Sequence, residues 1–77
     1  MLQYAQEAFI VLVHLYEPDG TLRREEYIVG SPTREAAEDK VVSVFPAGVE
    51  IRVFASPLGH SETLSLNLLP NEIRPRR

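Results

Sequence analysis

Two neighbouring carboxylates, Glu25 and Glu26, a second acidic pair, Glu35 and Asp39, and the only imidazoles, His14 and His60, are the side chains whose types could carry acid–base chemistry. Hydrolysis by paired carboxyl groups needs both aimed at one bond. Consecutive strand residues point to opposite faces, so Glu25 and Glu26 read as an ionised strand edge instead. Glu35 and Asp39 stand four apart, which on a helix puts both on one face. With exposed Val42 beside them, they read as a solvated surface or a protein contact. His14 falls in an apolar run and reads as a structural or interface residue. Neither histidine has the His-x-x-x-His spacing or the clustered extra ligands a zinc site needs. His60, Ser61 and Glu62 supply the residue types of a hydrolytic triad, but three consecutive residues cannot occupy its three positions in space. The four glycines stand apart, with no phosphate-binding pattern. The reading is a non-enzymatic protein with no catalytic or metal site, no cofactor and no small-molecule substrate.

The elements that hold these side chains follow from periodicity and breakers. Phe9 to Tyr16 is β-branched and aromatic, apolar on both alternating faces, and predicts a central strand. Glu17-Pro18-Asp19-Gly20 closes a hairpin, Pro presetting φ and Gly taking the left-handed conformation. Thr21 to Val29 returns antiparallel. With Glu17 opposite Thr21, Phe9, Val11, Val13 and Leu15 share a face with Val29, Tyr27, Glu25 and Arg23. Ile10, Leu12, His14 and Tyr16 share the other with Ile28, Glu26, Arg24 and Leu22. Charges in the middle of the second strand suit an edge.

Ser31-Pro32 predicts a helix start, Ser capping and Pro at the first position. Thr33, Ala37, Val41, Val44 and Phe45 form one stripe up to a stop at Pro46 and Gly48. Val49 to Ser56 and Ser61 to Leu69 alternate and predict two more strands, and the tail from Pro70 is polar and basic. The expected fold is α+β, a ββαββ chain with a four-stranded antiparallel sheet in the order 2-1-3-4 and one helix on one face. All 77 residues form one domain, because so short a chain buries only about 60% of the surface its unfolded form exposes.

One helix covers one face. Packed on the Phe9, Val11 and Val13 side, it leaves Ile10, Leu12, Ile28 and Phe54 open amid His14, Tyr16, Arg24, Glu26, Glu50 and Arg52. Apolar groups rimmed by charge mark a contact surface. The expected partner is another protein or a second copy of this chain, with Glu35, Asp39 and Val42 as a second surface. The net charge is −3, with five basic and ten acidic residues up to Leu69 and three arginines against Glu72 beyond it. An acidic body disfavours polyanions. The alternative is nevertheless a single-stranded nucleic-acid binder, stacking bases on Tyr16 and Phe54 beside Arg24 and Arg52 and meeting phosphates with Arg74, Arg76 and Arg77. The apolar run is too short for a bilayer span, no basic leader precedes it, and cysteine is absent, so no membrane partner and a cytoplasmic setting are expected.

Tyr16-Glu17-Pro18-Asp19-Gly20, Gly30-Ser31-Pro32 opening an Ala-bearing helix, and two following strands ending in Leu69-Pro70-Asn71-Glu72-Ile73-Arg74 together resemble the layout of small phage-encoded inhibitors, including some anti-CRISPR proteins. That resemblance implies a protein that blocks a host protein or nucleoprotein complex by occupying a surface.

Overall fold

Strands β1 (Ala8–Tyr16) and β2 (Leu22–Gly30) form a long hairpin whose register runs from Ala8 opposite Gly30 to Tyr16 opposite Leu22. The computed structural model from which this is read describes residues 3–45 and 49–76. The turn closes as its residues require. Gly20 sits at φ +89° and donates its N–H to the Glu17 carbonyl, while Asp19 accepts from both the backbone and the hydroxyl of Thr21.

Helix α1 (Arg34–Val44) is capped by Thr33, not Ser31. Thr33 is extended and its hydroxyl accepts from the Ala36 N–H at 3.1 Å, whereas the Ser31 hydroxyl turns to the Thr33 carbonyl. Pro32 therefore precedes the helix. Ala37 and Val41 are fully buried on the Phe9, Val11 and Val13 side of the sheet, and the Phe45 ring meets Tyr27 edge-on at 5.4 Å. Val44, expected on the buried stripe, is exposed. The expected stop at Pro46 and Gly48 lies outside the described residues.

Strand β3 (Glu50–Val53) pairs antiparallel with β1, Val11 opposite Val53 and His14 opposite Glu50. It ends before Phe54, short of the expected Ser56. The next segment departs further from expectation. Residues 61–69 do not form a strand; His60–Ser65 is a short helix, α2, and the chain turns at Asn67 and Asn71, both with left-handed φ. Leu supports a helix at least as well as a strand, and Asn is among the few residues that tolerate the left-handed position just after a helix end. The fourth strand is β4 (Ile73–Pro75), inside the expected tail.

The sheet is four-stranded and antiparallel, in the order β3-β1-β2-β4, with α1 as the main helix against it. The α+β expectation and the central place of β1 between β2 and β3 hold. The position of the last strand does not: β4 flanks β2, so β2 is an inner strand along Tyr27 to Val29 rather than an edge. Pro75 lacks a donor, and a sheet edge tolerates that.

With β4 on that side, the 58–72 segment crosses the reverse face. Ala8, Ile28 and Leu68 form a second small core there, joined by Ala5, Leu58 and Leu66. Backbone hydrogen bonds fix it: Ala5 donates to Leu68, Leu58 to Ala8, Gly30 to Glu72 and Asn71 to Gly30.

Candidate functional site: the open half of the reverse sheet face

The second core divides the face opposite α1. At the Ala8 end Ile28 is buried, and so is Ile10, which keeps 9% of its surface. Neither contributes to an open surface, contrary to expectation. At the hairpin end nothing among the described residues covers the sheet. Leu12 and His14 are half-buried, Tyr16 is 64% exposed and Leu22 43%.

Cross-strand pairing fixes what surrounds them. His14 lies between Glu50 on β3 and Arg24 on β2; Leu12, one step along, lies between Arg52 and Glu26. Directly opposite residues of antiparallel strands project to the same side. The four charges therefore make a checkerboard, acidic and basic alternating both across and along the strands, around the spine Leu12, His14 and Tyr16. Each is exposed. Phe54 stands one residue past β3, 42% exposed, its N–H donating to the Ile10 carbonyl. Leu22, Glu26 and Glu50 join the expected site residues here; the hairpin register, which puts Leu22 opposite Tyr16 and Glu26 opposite Leu12, is the sequence signal for the first two.

His14 Nδ1 is 3.8 Å from Glu50 Oε2, too long for a hydrogen bond, and its Nε2 is buried with no partner among the described residues. Glu25 and Glu26 face opposite sides. Glu25 accepts from the Tyr27 hydroxyl and pairs with Arg23, and that hydrogen bond, helped by burial, raises the Tyr27 pKa. Glu26 pairs with Arg76 at 3.2 Å. His60, Ser61 and Glu62 are consecutive exposed residues opening α2.

The arginines expected to be a free basic tail are tied down. Arg74 lies in β4 and pairs with Glu72 at 2.7 Å while donating to the Leu66 carbonyl. Glu72 is held below the ordinary carboxylate range first by the Leu69 N–H and then by Arg74. Arg76 is taken by Glu26. Arg77 lies outside the described residues. On α1, Glu35, Asp39 and Val42 are exposed together on the side away from the sheet.

The larger concavity, about 590 Å³, lies where β2 meets α1, between Gln6, Ser31 and Asn71. Among the described residues Glu7 is the only titratable side chain lining it. A smaller one of about 420 Å³ runs along Arg24, Glu26 and Arg76 beside the checkerboard. Among the described residues no helix is long and apolar enough to cross a membrane, and no three His, Asp or Glu side chains converge. Compared with known protein families, curated proteins and solved structures, the chain matches none.

Proposed function

We propose that this chain is a small protein-binding module that acts without catalysis, as an inhibitor or adaptor, through the hairpin end of its reverse sheet face. The observation that carries the reading is an apolar strip, half-buried Leu12 continuing past His14 to exposed Tyr16 and Leu22, with Arg24, Glu26, Glu50 and Arg52 flanking its Leu12 and His14 rows. An apolar centre excludes water and fixed rim charges select a partner's register, as in protein interfaces generally. The phage-inhibitor layout remains part of this proposal on its hairpin and helix alone, since the segment after β3 is built differently. Nucleic-acid binding has less support. Arg74 and Arg76 already hold carboxylates, and Glu26 and Glu50 interrupt the positive charge of the face.

The test is retention of polypeptides by immobilised wild-type protein and two folded variants. A polypeptide retained by wild type, lost with Leu12→Glu and kept by Glu35→Lys/Asp39→Lys supports the reading. Loss with the helix variant alone, or binding of a single-stranded oligonucleotide that Leu12→Glu abolishes, would overturn it.

A further inference from the structure

The checkerboard is complementary to itself. We propose that the partner of this face is a second copy of the chain, docked face to face about a two-fold axis that runs across the strands between the Leu12 and His14 rows. This rests on the protein-contact reading above and names its occupant.

The placement follows from register. A two-fold across the strands turns each strand over its own counterpart in the opposite direction, and exchanges the Leu12 row with the His14 row. Arg52 of one copy then faces Glu50 of the other, Glu26 faces Arg24, and Leu12 lies against His14. Every charge meets its opposite, twice over by symmetry. Packed sheets stand about 10 Å apart, a gap that extended Arg and Glu side chains span. Tyr16 and Leu22 of each copy reach towards the edge of the other's second core, so the exposed aromatic meets apolar surface.

The second core also selects this axis over its rival. A two-fold running along β1 is equally satisfactory for charge, pairing Arg24 with Glu50 and Arg52 with Glu26. It would, however, stack the two α2 layers over each other at the Ala8 end and hold the open halves apart. The axis across the strands sends those layers to opposite ends, each against the other copy's hairpin turn. The patch covers about 14 by 20 Å from strand spacing and rise, small against the roughly 800 Å² per partner of a standard interface, so association is weak and reversible.

Charge reversal tests both the partner and the axis. Sedimentation is run from about 10 µM to about 1 mM, a range that reads dissociation constants of micromolar to millimolar strength. Wild type is expected to show a monomer–dimer equilibrium. Arg24→Glu alone sets Glu against Glu26 and Glu26→Arg alone sets Arg against Arg24, each weakening the dimer by about 10- to 100-fold. An equimolar mixture of the two variants restores it, since each then meets its opposite. If Glu26→Arg fails to fold by circular dichroism, Arg52→Glu mixed with Glu50→Arg repeats the test at the other rim. Under the axis along β1 neither mixture recovers a dimer, so absence of rescue overturns the proposal, as does a wild type that stays monomeric throughout. A monomeric wild type that still retains a foreign polypeptide through Leu12 removes only the self-association; one that retains none removes the protein-contact reading as well.

Discussion

Gly30 and Leu69 touch more closely than any side chain at position 30 would permit. A Cβ built on Gly30 would stand 2.8 Å from the Leu69 carbonyl oxygen and 2.9 Å from the Ala5 Cβ. This contact is where the 58–72 segment reaches the sheet, with Asn71 donating to the Gly30 carbonyl at 2.7 Å. Backbone cannot give way as a flexible side chain can. Gly30→Ala should therefore cost about 1–3 kcal/mol, the usual range for overpacking. Urea unfolding reads it, and an unchanged midpoint would mean that the segment does not close on the sheet as described.

Leu68 and Leu64 discriminate between the helical segment and the alternating strand that its sequence suggests. In a strand both would share one face. In the structure Leu68 is fully buried and Leu64 is 43% exposed. Leu68→Ala should lose about 2–5 kcal/mol and Leu64→Ala less than about 0.5. Equal losses would contradict the described packing.

His14 keeps a ring nitrogen buried with no partner among the described residues, an arrangement that costs stability. His14→Leu should raise the unfolding midpoint, with a gain of about 1 kcal/mol. A marked fall would show that the imidazole is held by a group that this geometry does not supply.

Glu72 makes stability depend on acid. Its folded pKa lies below the ordinary 4.5, so the folded carboxylate binds a proton less readily than the unfolded one. Its contribution is complete above the unfolded value and is lost as pH falls through the lowered folded one. Glu72→Gln should melt below wild type near neutrality, by less than about 1 kcal/mol for a pair so open to solvent screening, and the gap should narrow as the pH falls through the lowered folded pKa. A gap that persists or widens in acid would contradict the assignment.

Those parts of the fold whose signals are local were readable in advance. Pro18, Asp19 and Gly20 set the turn, and the turn sets the register, so the pairing of Phe9 with Val29 and of His14 with Arg24 followed from sequence. Ala37 and Val41 repeat at helical spacing and needed only the correction of the cap from Ser31 to Thr33. The C-terminal third carries weaker signals. Leu64, Leu66 and Leu68 alternate like a strand, yet Leu has no strong preference for one, and the helix stop is Asn67 rather than a glycine. Ile73 is the single large apolar residue after Leu69, too little to reveal a three-residue strand whose place depends on β2. The weak signals of that third conceal the second core, and with it the burial of Ile10 and Ile28. Leu12, His14, Tyr16, Arg24 and Arg52 remained legible as one surface because the hairpin alone places most of it.

Backbone amide shifts of the wild-type protein, followed by NMR from dilute to concentrated solution, test the contact surface most directly. The expected result is concentration-dependent movement at Leu12–Tyr16, Leu22–Glu26 and Glu50–Arg52 and at the adjoining edge of the second core, with α1 still. Movement centred on Glu35, Asp39 and Val42, or none at any concentration, would contradict self-association through the open half of the sheet.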